Sequence, residues 1–454
     1  MEEKTGKLSR RTKVFYGIGD LGNAVVNSAV QFFLMKFYTD AALVPPALAG
    51  NALLIGKGWD AINDPLFGWL TDRTKSRFGK RRVFMIFGAI PLGIATALLW
   101  FVPASDRLSA FFWIAATFIL FDTLWTLTNV PYYALTSELT DDYDERSSLT
   151  TYRMVMAVPA YLVGAALTPA IVGLFALQQT GYAFIGIAYG VVAAAALLIS
   201  AAGIRERKGL AVSAPEPSPF KSLAVALKNK PFAWLCATYF VINLSFAFIK
   251  ILMVYYIEYQ LLMAAETSLV MGLMLICVTI ALPFWQWVSR RMDKGPAYAL
   301  GMLVGGLAVI LTFFLPHEST GLIYLIAALA GFGFAAQWIF PWAMVADVAD
   351  YDRADTGQQR SGMYYGVWGL ATKISEALAL VTVGWILTGF GYVPNVEQSS
   401  NALFGIRLFF GLIPAGIILV CLPLLIKYPI TRKTHAAIRA RLEAMDAAAK
   451  EASA

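Results

Sequence analysis

Long apolar runs separated by short polar loops dominate the chain. About twelve are long enough to cross a bilayer as helices, which takes about 20 residues. They lie near 14–39, 48–71, 82–102, 108–137, 151–175, 181–203, 231–259, 267–289, 297–315, 320–349, 362–390 and 401–427. Several contain Gly, Pro, Asn or Gln, which predicts tilted or kinked helices around a cavity. The widest polar interval, 205–230, carries A-P-E-P-S-P-F and reads as a linker. The expected architecture is an all-α polytopic membrane protein of twelve transmembrane helices in two six-helix bundles, 1–204 and 231–428. A tail, 429–454, follows, with Ile438, Leu442 and Met445 at the spacing of an amphipathic helix. That tail is read as solvated or lying on the membrane surface rather than as a partner-binding element.

Basic residues sharpen the topology. They gather at Lys4–Lys13, Arg73–Arg82, Arg146, Arg205–Lys230, Arg290–Lys294, Arg353–Arg360 and from Lys427 onward, while the alternate loops hold little beyond Arg107. The positive-inside rule then puts both termini in the cytoplasm and requires an even number of spans. Composition agrees, with 58% hydrophobic and only 14% charged residues against about 25% charged in soluble domains. The net charge of +7 sits in these loops, so it reports membrane orientation and no nucleic-acid partner. Cys236, Cys277 and Cys421 fall in apolar runs, as small core residues do. The N-terminus carries no cleavable apolar segment of its own, so no signal peptide is expected.

The two halves echo each other. From Pro131 the chain reads P-Y-Y-A-L-T-S-E-L-T-D-D-Y-D-E-R-S, and from Pro341 it reads P-W-A-M-V-A-D-V-A-D-Y-D-R-A-D-T-G-Q-Q-R-S. T-D-R-T-K-S-R-F-G-K-R-R after the second run has a weaker echo in S-R-R-M-D-K-G. Parallel repeats of this size are the signature of a two-bundle transporter. Asp72, Arg73, Glu138, Asp142, Arg146, Asp347, Asp350 and Arg360 are expected to form gate and interface ion pairs rather than to touch solute.

Candidate chemistry centres on W-D-A-I-N-D-P-L-F-G, Trp59–Gly68, in the second run. Asp60, Asn63 and Asp64 share one helical face. An ionisable group at mid-membrane costs about 2.5–3.5 kcal/mol on insertion scales and needs a partner or a function. Two carboxylates and an amide offer the oxygen donors that a hard cation such as Na⁺ takes, and paired carboxylates also suit a proton. The alternative is ion pairing with Lys57 or another helix. In the fourth run Asp122, Thr126 and Asn129 share a face; Thr126 would either complete a cation site or bond within its own helix. Asn23, Asn27 and Gln31 form an amide stripe on the first helix, expected to line the cavity. Arg153, Lys373 and Glu376 are intramembrane charges needing partners; Lys373 and Glu376, at i and i+3, could satisfy one another, but Lys373 is expected instead to reach the second-run carboxylates or the solute. Lys250 and Glu258 carry no assignment beyond snorkelling. Tyr133 and Trp342 could stack on a sugar ring or cover an acyl chain. The two histidines, His317 and His435, lie outside the runs, and no H-E-x-x-H, G-x-S-x-G, P-loop or dinucleotide motif is present. No enzyme activity and no cofactor beyond the coupling ion are expected.

W-D-A-I-N-D-P, the G-K-R-R loop, Y-G-I-G-D-L-G, F-Y-T-D, D-V-A-D-Y and S-G-M-Y-Y-G together resemble the glycoside–pentoside–hexuronide:cation symporters, the melibiose permease-like family of the major facilitator superfamily, from about Val14 to Lys427. The resemblance implies a Na⁺, Li⁺ or H⁺ site at Asp60, Asn63, Asp64 and Thr126, with Asp60 and Asp64 as its metal ligands if sodium is the ion. It implies solute contacts at Arg153 and Lys373. Where galactoside-binding members carry two aspartates, this chain has Ala24 and Asn129, and Tyr133 stands at the position of a ring-stacking Trp. Losing two carboxylates while keeping Arg153 and Lys373 predicts a more positive cavity and an acidic solute. T-T-Y-R-M-V-M, from Thr150, also resembles lysophospholipid symporters of the same family. The expectation is a cation-coupled symporter of a sugar, glycoside or hexuronide, or alternatively of an amphiphilic anion. It is expected to be monomeric in the plasma (inner) membrane, with membrane lipid and a small molecule as its partners.

Overall fold

A computed structural model describes residues 8–74, 76–103, 106–140, 143–204, 206, 219–316, 320–358 and 360–453. Its helices are α1 (Arg10–Lys36), α2 (Pro46–Arg73), α3 (Arg82–Leu99), α4 (Arg107–Leu139), α5 (Tyr143–Val172), α6 (Gln178–Gly203), α7 (Pro219–Lys228) and α8 (Lys230–Tyr255). They continue as α9 (Thr267–Ser289), α10 (Lys294–Thr312), α11 (Thr320–Thr356), α12 (Ser361–Gly389), α13 (Ser400–Arg407), α14 (Ile413–Ile426) and α15 (Arg432–Ser453). No strand occurs among the described residues. Among those residues ten helical segments are long and apolar enough to cross a membrane. The long helices α1 and α2 fall short of that measure because amide and carboxylate stripes interrupt their apolar sequence. Proline sits inside α3, α4, α5, α9, α11 and α14, where its missing N–H favours a kink.

The chain divides into two compact units. One comprises Met1–Ala214, Lys250–Gly272 and Leu380–Gly405; the other comprises Pro215–Ile249, Leu273–Ala379 and Ile406–Ala454. In the first, α1 packs on α5 and α6, α2 on α4, and α3 on α4 and α6. Backbones come unusually close there: a Cβ added to Gly190 would lie 2.3 Å from the Gly93 carbonyl oxygen, and one on Gly384 would lie 2.4 Å from that of Pro46. In the second unit, α10 packs on α11 and α14, and α15 lies along α11. Leu442 is buried and Ile438 half-buried, so part of the apolar face of the tail helix packs on its own chain.

Two helix ends in the first unit repeat one backbone device. α1 runs into a π-helical turn, Phe37–Ala41, and α8 into another, Tyr256–Gln260. The wide turns close through Ala42 N–H to Phe37 O (2.8 Å) and Leu261 N–H to Tyr256 O (3.0 Å). Each is followed by a leucine in the left-handed region, Leu43 (φ 56°) and Leu262 (φ 58°). A non-glycine residue there stores about 1–3 kcal/mol of strain, which the surrounding packing must hold. The internal repeat therefore extends to the first helix of each half, where the side chains alone hide it.

Candidate cation and solute sites

α2 and α4 bring the predicted cation residues together. Thr126 Oγ1 donates to Asp64 Oδ1 (3.0 Å), so its hydroxyl faces α2 instead of bonding within its own helix. Asn63 Nδ2 donates to the backbone oxygen of Asp122 (3.2 Å) and lies 3.4 Å from its Oδ2. Asn63 Oδ1 is buried and accepts no hydrogen bond among the described residues. A buried oxygen without a donor is costly unless a cation or water takes it. Asp60 is 3% exposed and Asp122 4%. Trp59 Nε1 donates to Thr123 Oγ1 (2.9 Å), fixing the register of the two helices one turn away. Two contacts are thus made across this face, Thr126 with Asp64 and Asn63 with Asp122, and among the described residues no three His, Cys, Asp or Glu side chains converge as a metal group.

Farther along the same stripe of α4 the partners change to α1 and α5. Asn23 Nδ2 donates to Asn129 Oδ1, and Asn129 Nδ2 caps the Trp125 carbonyl (3.0 Å). Tyr132 donates to the Tyr16 carbonyl (2.6 Å), and the two rings stack at 5.0 Å. Arg153 of α5 does not stand alone: its Nε lies 3.1 Å from Asp20 Oδ2. Tyr133 donates to the other oxygen of Asp20 (3.2 Å), and the guanidinium lies 4.9 Å from the Tyr133 ring centroid. This corrects the expectation of a positive cavity as far as Arg153 carries it, because the Arg153 charge is balanced by Asp20. Asp20 was missed although it lies inside Y-G-I-G-D-L-G. Its signal was its place at i, i+3, i+7 and i+11 with Asn23, Asn27 and Gln31. Asn27 is exposed and accepts a bond from Gln31 on its own helix (3.1 Å).

Lys250 and Glu258 do more than snorkel. Lys250 Nζ and the Tyr161 hydroxyl both donate to Gln31 Oε1, at 3.0 and 2.9 Å. Glu258 Oε2 lies 2.7 Å from Lys36 Nζ, which is also 2.5 Å from Asp40 Oδ2. Asp40 further accepts from Tyr259 (2.5 Å), Thr39 (2.6 Å) and Tyr392 (2.6 Å), and its carbonyl accepts from Asn395 Nδ2 (2.6 Å). This buried knot ties α1 to the segments around 258 and 392.

In the second unit Lys373 is half-buried on α12, three residues before Glu376. Trp342 is 49% exposed and stacks near Tyr365, centroids 6.2 Å apart. Asp347 pairs with Lys294 (2.7 Å), and its Oδ1 lies 3.4 Å from His435 Nε2 of α15. Asp350 meets His435 (3.6 Å) and Arg439 (3.8 Å) of the same helix, and Arg360 lies 4.0 Å from Asp352. Arg73 is exposed at the end of α2. Asp142 and the side chains of Asp72, Glu138 and Arg146 lie outside the described residues.

Comparison with known proteins gives one family over most of the chain: residues 15–432 match the model of the MFS/sugar transport protein family. A putative glycoside/cation symporter, YagG of Escherichia coli, is 28% identical over 90% of this chain and 89% of its own. A sodium-dependent lysophosphatidylcholine symporter, 1-B of Danio rerio, is 26% identical over 95% of this chain and 89% of its own. The crystal structure of a point mutant of a nucleoside transporter, NupG, superposes with a TM-score of 0.66 at 14% identity, covering 92% of this chain and 100% of that one. That likeness is one of fold.

Proposed function

The chain belongs to the MFS/sugar transport protein family, a family of membrane transporters with the all-α major facilitator fold, and from that premise we propose that it couples a Na⁺ or H⁺ gradient to uptake of a sugar, glycoside or hexuronide. The ion occupies Asp60, Asn63, Asp64 and Thr126. The solute takes the wall built by Asn23, Asn129, Tyr133 and Arg153; Trp342 and Lys373 are kept as further solute-binding candidates. One observation carries this reading: Thr126, bonded to Asp64, and Asn129, bonded to Asn23, stand three residues apart on α4. That separation is a rise of about 4.5 Å. A cation held at Asp64 and Thr126 therefore lies one turn of α4 from the solute wall. Transport proceeds by alternating access, with both termini in the cytoplasm. A membrane potential adds about 2.3 kcal/mol per charge per 100 mV to accumulation.

The test is solute accumulation in proteoliposomes with imposed Na⁺ or H⁺ gradients. Asp60→Cys and Asp64→Cys should each abolish gradient-driven accumulation. A mutant that still concentrates solute on either gradient would overturn the ion assignment. The relative named as a lysophosphatidylcholine symporter supports a second reading with the same ion site and an amphiphilic cargo. Competition by lysophosphatidylcholine but by no sugar would favour it.

A further inference from the structure

The proposed function leaves the electrical character of the solute open, and the placement of Asp20 bears on it. Asp20 is 7% exposed. Its two oxygens are engaged separately, one by Arg153 Nε and one by the Tyr133 hydroxyl. Arg153 keeps 20% of its side chain exposed and Tyr133 42% of its surface. Arg153 and Tyr133 thus keep exposed surface, while the carboxylate that balances the guanidinium is buried against them. A solute carboxylate approaching Arg153 would be repelled by Asp20 and would compete with it for the same cation, so its gain is small. A neutral hydroxyl group carries no such penalty. It can accept from guanidinium N–H groups while a sugar ring lies against Tyr133.

Resting on the symport reading above, we propose that Asp20 is a specificity-determining residue: held behind Arg153 and Tyr133, it makes this wall electrically neutral and selects an uncharged polyhydroxylated solute over its carboxylate counterpart. Tyr133 fixes the orientation of the pair. Asp20 acts through Arg153, not by touching the reacting ion.

The experiment uses the full chain, purified and reconstituted, and matched ligand pairs. Each pair is a methyl glycoside and the uronate of the same ring stereochemistry, in the gluco, galacto and manno series. Affinities are measured with and without Na⁺ at fixed pH, and cation-induced thermal stabilisation confirms that each variant is folded. The wild type should prefer the neutral member. Asp20→Asn should move the neutral-to-uronate affinity ratio at least tenfold toward the uronate, because Arg153 loses its counter-charge. Asp20→Glu should keep the wild-type ratio, and Asp20→Asn combined with Arg153→Gln should restore a preference for the neutral ligand. Sugar binding with an unmoved ratio in Asp20→Asn overturns the role of Asp20 and leaves the symport reading intact. If Asp20→Asn binds neither ligand yet still responds to cation, the double variant decides: recovered glycoside binding supports the proposal, and continued loss overturns it. A wild type that binds lysophosphatidylcholine and no member of any pair overturns both readings together.

Discussion

Replacing Asp40 by Asn should loosen the knot at the end of α1 by about 3 kcal/mol, within the range for breaking a buried ion pair. Asp40 is 2% exposed and takes donors from Lys36, Tyr259, Thr39 and Tyr392, all within 2.6 Å. Asparagine keeps one oxygen and turns the other into an NH₂, so two donors are left facing a donor. Hydrogen bonds to a charged group contribute about 1.5–3 kcal/mol each, giving about 3–6 kcal/mol for two. The lower end applies because Lys36 keeps Glu258 at 2.7 Å. At tenfold per 1.4 kcal/mol, local opening should rise on the order of a hundredfold. Hydrogen–deuterium exchange reads this at the amides of Leu261 and Met263, which bond to Tyr256 and Ile257 inside the turn. Lys36→Met should exceed Asp40→Asn, since it leaves two facing carboxylates without their cation. Glu258→Gln should fall below it, because the Glu258 side chain is 20% exposed. Exchange at Leu261 and Met263 that rises less than about threefold in Asp40→Asn (by the same conversion) would refute the view that this knot holds the segment down.

Thr126→Val should weaken cation binding by about 10- to 100-fold, the value of a hydrogen bond to a charged group, while Thr126→Ser retains it; cation-dependent tryptophan fluorescence measures both. Gly384→Ala places a methyl 2.4 Å from the Pro46 oxygen and should destabilise by about 1–3 kcal/mol, read as increased exchange in the first turns of α2. Gly389→Ala, with nothing within 4 Å of its added carbon, serves as its neutral control. Arg439→Ala removes a half-exposed pair with Asp350 at 3.8 Å and should cost less than about 1 kcal/mol of tail docking, measured by protease release of α15 and shrinking further in high salt.

The sequence made the spans and the polar faces of α2 and α4 legible because helical periodicity is a local property. Asp60, Asn63 and Asp64 follow from spacing alone, and Thr126 needed only the choice between two bonds. What stayed hidden depends on residues far apart in the chain. Arg153 looked like an uncompensated cation because its partner lies on α1, and Glu258 looked peripheral because Lys36 lies in the other half. The π-helical turns leave no periodic trace, since one extra residue per turn shifts the stripe without changing its composition. The tail helix showed its apolar face, but nothing in its own residues named α11 as the surface that covers it.

The single polar stripe of α4 bears on how such a protein can diversify. Its proposed ion contacts and its proposed solute contacts occupy successive turns of one helical rod, yet they lean on different neighbours: α2 at Asp122 and Thr126, α1 at Asn129 and Tyr133. On that reading, mutations at the second pair could retune cargo while the side chains that hold the ion stay as they are. A lineage built on this rod can therefore change diet without reinventing its engine.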